Sequence, residues 1–333
     1  MNTGKKNLAA SVAARLLNRA KETSDDYQRL FTNFCFERFL FRLGASEVGE
    51  RFVLKGAMCL QLWADRPYRA TRDLDLLRRG DPSFEAIRRD FEVICTTEAP
   101  PDGIQFDAVA IQIERIRAQG EGVGARVSLP ARCGNAVYPL QIDLGVGDLV
   151  WPQPQPRDFP SILQFPQPRI FAYPPEAVIA EKLEAMVVLG ASNSRIKDFF
   201  DIQFLAGRFE FDRATLVEAI QLSFGTRKTA IPDDDPIGLT EQFWLDPMRQ
   251  PQLRAFARRS GLEVGPKPGE ELLNALRPFL IPLLEDLRRG VATIASWPAG
   301  GPWQEIDPLG VESSHLNPVH RERRTESTVG RGV

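Results

Sequence analysis

Histidine is almost missing from this 333-residue sequence: there are two, His315 and His320, both near the C-terminus. A His-dependent triad or a zinc site in the body of the fold is thereby excluded. Cysteine is nearly as scarce. Cys35, Cys59, Cys95 and Cys133 stand in apolar contexts with no Cys-x-x-Cys spacing, which reads as reduced core thiols of a cytoplasmic protein rather than a disulfide scaffold. No uninterrupted apolar run is long enough to span a bilayer, so no membrane partner is expected. The beginning, MNTGKKNLAASVAARLLNRA, has two lysines ahead of small residues, but Arg15 interrupts it and its amphipathic spacing marks a surface helix instead of a leader. Net charge is also lacking. With 42 Lys and Arg against 44 Asp and Glu the balance is -2, so an RNA partner would need a local basic patch.

What remains is an ordinary globular composition, 43% hydrophobic and 26% charged, on a chain long enough for two domains or one with appendages. Two helices are expected at Leu8 to Glu22 and Asp25 to Leu43. The stripe Leu30, Phe31, Phe34, Phe39 and Phe41 in the second has helical spacing and belongs in a core rather than on a base-stacking platform. Helical character returns at Asp81 to Thr96. Alternating segments at Phe106 to Arg117 and Gly124 to Leu129 suggest a hairpin, followed by a strand at Tyr138 to Val146. A proline-rich connector, Trp151 to Pro168, leads into a mainly helical second half whose last helix is expected at Glu270 to Arg289. The resulting division is 1–50 as N-terminal helices on the core, 51–170 as the sheet, 171–295 as a helical domain, and 296–333 as a polar tail expected to be disordered. Arg249, Arg254, Arg258 and Arg259 form either a basic face for RNA or a solvated surface.

The chemistry concentrates in Phe52 to Leu77, FVLKGAMCLQLWADRPYRATRDLDLL. Val53 and Leu54 end a strand, Gly56 frees the turn, Ala57 to Trp63 form a short helix, and Arg72 to Leu77 form a second strand. A period of two places Asp73 and Asp75 on one face and turns Leu74 and Leu76 into a core. Two adjacent carboxylates repel unless a cation lies between them. Mg²⁺, which takes one or two carboxylates together with phosphate oxygens and water, is the usual answer. Backbone N–H groups after Gly56 offer an anion site for a triphosphate, with Lys55 beside it. In YPLQIDLGV, Asp143 shares a face with Gln141, opposite Leu140, Ile142 and Leu144. Lys182 lies four residues from both Val178 and Met186, so it points along a packed face, where its ammonium needs either a buried carboxylate or a nucleotide phosphate.

These residues resemble the AbiEii/AbiGii type of nucleotidyltransferase-like toxins, which includes the MenT toxins and belongs to the polymerase-β-like nucleotidyltransferase superfamily. That family has Leu-Lys-Gly-Gly before the helix and Arg-x-Thr-x-Asp-Leu-Asp-Leu after it; this chain has LKGA at Leu54 to Ala57 and RATRDLDL at Arg69 to Leu76. Ala57 replaces the usual second glycine or serine, leaving a backbone N–H but no hydroxyl. ERFLFRLGAS, Glu37 to Ser46, is also similar to the family's N-terminal region. A second signature matches at Glu181, Lys182, Leu183, Arg195, Lys197, Asp198 and Asp201.

The resemblance implies an α/β (α+β) fold: a polymerase-β-like nucleotidyltransferase mixed sheet with flanking helices and a mainly helical C-terminal half. It implies catalytic roles for Asp73, Asp75, Lys182 and Asp198, with Asp143 as a third carboxylate that binds a second metal or activates the attacking hydroxyl. Mg²⁺ would sit on Asp73, Asp75 and Asp143. Lys55, Gly56, Ala57, Arg69, Thr71 and Arg195 would contact the NTP. Asp198 is either catalytic or the group that orients Lys182, and from the residues alone Arg195 and Asp198 would be an ordinary helical ion pair. The implied acceptor is the 3′ end of tRNA, and the implied partner a separately encoded antitoxin. Two other readings stand beside this one: a noncatalytic nucleotide- or partner-binding module, suggested by Ala57, and a metal-dependent phosphodiesterase or nuclease, since clustered carboxylates also serve hydrolysis.

Overall fold

The computed structural model describes residues 3–64, 71, 73–117, 123–147, 149–291 and 293–306. Two helices open the chain, α1 (Thr3–Thr23) and α2 (Tyr27–Ala45), the second started by Asp26, whose side chain accepts from the Arg29 N–H. A meander of short elements follows: β1 (Phe52–Lys55), α3 (Gly56–Cys59) continued by a 3₁₀ turn at Leu60–Leu62, β2 (Leu74–Arg78) and α4 (Phe84–Thr96). The sheet is completed by β3 (Gln105–Phe106), β4 (Gln112–Arg117), β5 (Val123–Cys133), β6 (Ala136–Val146), β7 (Gln155–Asp158) and β8 (Arg169–Ala172).

Strand order is β3-β5-β6-β2-β1-β8-β7, with β4 also pairing β5. The sheet is mixed: β2 runs parallel to β6 and β1 parallel to β8, while β1–β2, β5–β6 and β7–β8 are antiparallel. One face is apolar because alternate residues on the central strands are. Leu74 and Leu76 on β2 and Tyr138, Leu140, Ile142 and Leu144 on β6 are buried there. Helix α2 covers part of this face: Phe31 stacks on Tyr138 at 4.0 Å between ring centroids, and Phe39 stacks on Phe91 of α4 at 5.5 Å. The proline-rich connector is pinned to α2 by buried charge. Glu37 accepts from Ser161 and from the Ile162 N–H, and Arg38 donates to the Pro166 carbonyl.

The second half is helical: α5 (Pro175–Leu189), α6 (Ile196–Arg208), β9 (Phe211–Asp212), α7 (Arg213–Thr226), α8 (Glu241–Leu245), α9 (Arg249–Ser260) and α10 (Pro268–Arg289). Two short strands, β10 (Ala295–Trp297) and β11 (Gln304–Glu305), pair with each other, and β10 also pairs with β9. This differs from the expectation of a disordered tail from residue 296. Trp297 donates to the Ala206 carbonyl and Trp303 to that of Phe279, with Trp303 stacked on Phe279 at 5.8 Å, so two indoles hold the segment as far as Ile306. The rest of the expected tail, residues 307–333, lies outside the described residues. Among the described residues no helix is long and apolar enough to cross a membrane. The four cysteines are free thiols, three of them buried.

Candidate active site

The polar face of the sheet carries one row of charge across five strands. Directly opposed residues present their side chains on the same face. Register pairs Lys55 with Asp75, Asp75 with Asp143, Asp143 with Arg126, and Arg126 with Glu114. Two carboxylates therefore stand side by side at the centre, flanked by a lysine and an arginine. Asp73, two residues before Asp75, lies along the same wall, and the Thr71 hydroxyl donates to the Asp73 carbonyl at 3.0 Å. Burial pushes the Asp75 carboxyl above its ordinary range; Lys55 and Lys197 oppose the shift, and Asp143 and Asp73 add to it.

Gly56 makes this crowding possible. Its φ is +68°, and a Cβ built there would lie 2.0 Å from Oδ2 of Asp75. The expected helix after Gly56 is only one α turn and one 3₁₀ turn long. Gly56 thus does more than free the turn: it gives the Asp75 carboxylate its place.

The opposite wall comes from the helical half. Lys182 on α5 donates to Asp198 and Asp201 of α6, each at 2.7 Å, and Arg195 pairs with Asp198 at 2.8 Å. Asp198 and Asp201 are almost fully buried. Of the two partners open to Lys182, the structure thus supplies carboxylates. Glu181, one position earlier, accepts from Lys55 at 3.0 Å and from the Tyr173 hydroxyl at 3.0 Å, and pairs with Arg227 at 2.9 Å. Burial disfavours the Glu181 carboxylate, but Lys55 and Arg227, with hydrogen bonds from Lys55 and Tyr173, outweigh it and hold its pKa at about 2.

A carboxyl depressed in this way from 4.5 contributes stability that is complete above the unfolded value and is lost as pH falls through about 2. The protein is expected to lose melting temperature over that interval, and Glu181→Gln to lose less of it. Equal losses in the two proteins would remove Glu181 from the acid response.

The two walls enclose a cavity of about 500 Å³. Of the sequence-derived site residues it brings together Asp73, Asp75, Asp143, Lys55, Gly56, Ala57, Thr71, Lys182, Arg195 and Asp198; Arg69 lies outside the described residues. Carboxylates from β2 and β6 line the sheet side, while Lys197, Arg227 and Lys228 add cations from the helical side. The donor set fits a divalent cation at Asp73 and Asp75, because a carboxylate crowded against Gly56 and destabilised by two like charges is what such an ion relieves.

Asp143, expected as a third metal ligand, is held by Arg126, which donates to both of its oxygens at 2.8 and 2.9 Å. No group of three or more His, Cys, Asp or Glu among the described residues is arranged to hold a metal.

A family model described as nucleotidyl transferase AbiEii toxin, type IV TA system, matches residues 38–276. The chain belongs to this family. No curated protein matches it. Among solved structures, a candidate nucleotidyltransferase from H. pylori is 16% identical, with 79% of this chain and 98% of the other covered and a TM-score of 0.45. JHP933 from Helicobacter pylori is 14% identical, with 76% and 99% covered and a TM-score of 0.36. An antigenic nucleotidyltransferase-like protein from Paracoccidioides brasiliensis is 15% identical, with 74% and 91% covered and a TM-score of 0.33. The grounds for function in this AbiEii protein are the family match and the geometry of its own site.

Sequence reasoning gave no site role to Arg126, Tyr173, Glu181, Arg227 or Lys228. Glu181 was visible inside the second signature, but its partners come from β1 and the far end of α7. Arg249, expected on a basic face or a solvated surface, is instead buried over the Phe243 ring at 4.0 Å and donates to the carbonyls of Asn193 and Ala191, fastening α9 to the segment that carries Arg195.

Proposed function

We propose that this AbiEii protein transfers a nucleoside monophosphate from an NTP to the 3′ end of a tRNA in the cytoplasm, under the control of a separately encoded antitoxin. One observation carries the reading: carboxylates on a sheet wall and cations on a helical wall face each other across a single cavity, as a metal-bound triphosphate requires. In the reaction the acceptor hydroxyl oxygen bonds to the α-phosphorus and gives up its proton to solvent, the bond from that phosphorus to the bridging oxygen breaks, and pyrophosphate leaves with those electrons.

Mg²⁺ held by Asp73 and Asp75 would supply Lewis-acid neutralisation of phosphate charge. Lys55 and Arg195 neutralise the remaining phosphate oxygens, Gly56 and Ala57 offer backbone N–H groups to them, and Thr71 fixes the backbone that presents Asp73. Lys182 holds α5 to α6 within the helical wall through Asp198 and Asp201, and Lys55 ties that wall to the sheet through Glu181. Asp143, steadied by Arg126, faces the acceptor side.

The test uses purified protein, Mg²⁺, total tRNA and each of the four α-labelled NTPs, with Asp73→Ala alongside. Label is expected on tRNA with the wild type, while Asp73→Ala, which removes a local repulsion and should keep its fold, drops by at least about a thousandfold. Equal labelling by the two folded proteins would overturn the chemistry. Release of shortened RNA without NTP would select a nuclease, and NTP binding without product on any acceptor would select a noncatalytic module.

A further inference from the structure

Helix α7 ends in a way that sequence preference alone does not explain. Its last carbonyls are closed by two reversed hydrogen bonds, from the Thr229 N–H to Phe224 at 2.9 Å and from the Lys228 N–H to Gly225 at 3.2 Å. The residue between these bonds that must take left-handed geometry is Lys228, at φ +55°, where glycine is the usual occupant. A lysine accepts that conformation here, and Thr226, Arg227 and Lys228 all line the reaction cavity as a result.

The same turn is tied to α5 at two points. Arg227 reaches Glu181 at 2.9 Å and Glu184 at 2.9 Å, and the Thr229 hydroxyl donates to Glu184 at 2.6 Å. Glu181 Oε1 is the oxygen that also receives Lys55. One carboxylate oxygen thus holds an ammonium from β1 and a guanidinium from beyond α7 beside each other, each on the cavity wall. With Glu184 on the other guanidinium nitrogen, two cations stand against two carboxylates, and these contacts fix the spacing of Lys55 and Arg227 on the wall. That is the arrangement a polyphosphate meets without further ordering of long side chains.

We propose that the α7 exit turn is a phosphate-binding arm of the nucleotide site, with Arg227 contacting the polyphosphate beside Lys55 and Glu181 as the residue that positions both. The proposal rests on the reading that the cavity takes an NTP, and it adds the ligand group and the segment. Arg227 would reach the polyphosphate from the helical wall, across the cavity from Asp73 and Asp75.

Binding distinguishes this from a structural role. Dissociation constants are measured by calorimetry for the NTPs and for inorganic triphosphate, with Mg²⁺, on the wild type, Arg227→Met and Arg227→Lys. Arg227→Met is expected to weaken NTP and inorganic triphosphate alike, by roughly ten- to a hundredfold, with Arg227→Lys recovering part of the loss. In a Glu181→Gln background the Arg227→Met penalty should shrink about fivefold or more, because the guanidinium there is no longer held beside Lys55. Melting curves confirm that each variant is folded.

Affinity for triphosphate within twofold of wild type in folded Arg227→Met would overturn the proposal, as would a wild type that binds neither NTP nor inorganic triphosphate. Triphosphate binding that depends on Arg227, in a protein that transfers nothing to tRNA, would leave the arm standing and remove the transfer reading.

Discussion

Lys182→Met is expected to lower the unfolding free energy by about 3–5 kcal/mol, because it leaves buried carboxylates without the cation they share. Lys182 is 8% exposed, Asp198 2% and Asp201 0%, and both oxygen contacts are 2.7 Å. Methionine fills nearly the same volume, so the loss is electrostatic rather than a cavity. Urea midpoints would measure it. Adding Asp201→Asn should return a good part of the lost stability, since Arg195 still pairs with Asp198 and a buried charge is then removed. A Lys182→Met protein as stable as the wild type would show that the ammonium is not the partner of these carboxylates. Inactivity of a Lys182 variant therefore mixes unfolding with chemistry, whereas inactivity of Asp73→Ala does not.

Gly56→Ala should cost more in rate than in stability. The left-handed φ of +68° adds about 1–3 kcal/mol of strain for any residue with a Cβ. The new methyl carbon would also fall 2.0 Å from Oδ2 and 2.6 Å from Cγ of Asp75, so that side chain must swing away from its place between Lys55 and Asp143. Displacement of a reacting group by about 1 Å is enough for a hundredfold loss, and transfer is expected to fall at least that far, by about 10²-fold, in a protein that still melts cooperatively. Rates within a few fold of wild type would show that the Asp75 position does not govern the reaction.

The parts of this site that lie close together in sequence were legible there. Lys55, Gly56, Asp73 and Asp75 occupy one supersecondary unit, and alternation alone assigns the faces of β2 and β6. Arg126 was not legible, because its meeting with Asp143 depends on the register of the β5–β6 hairpin and on the parallel pairing of β6 with β2, and neither is written in local periodicity. The partner of Lys182 stayed open for a similar reason: Asp198 and Asp201 reach it from another helix. Arg227 gave no signal at all, since its role comes from a helix exit that a lysine makes in left-handed geometry. The segment through Ile306 was misread because its polar and proline-rich composition hid two tryptophans, each large enough to anchor a short strand.

The row Glu114, Arg126, Asp143, Asp75 and Lys55 runs crosswise to the chain, one residue from each of five strands. Insertions and deletions in the links between those strands leave each residue in its lane, and the reaction centre tolerates them. A single added or deleted residue inside β2, β5 or β6 moves that lane's charge to the opposite surface and replaces it with a hydrocarbon, because Leu74 and Leu76, Ala125 and Val127, and Ile142 and Leu144 are the neighbours. Length changes in a working version of this protein are therefore expected in the links, and these three strand segments behave as fixed-length rulers.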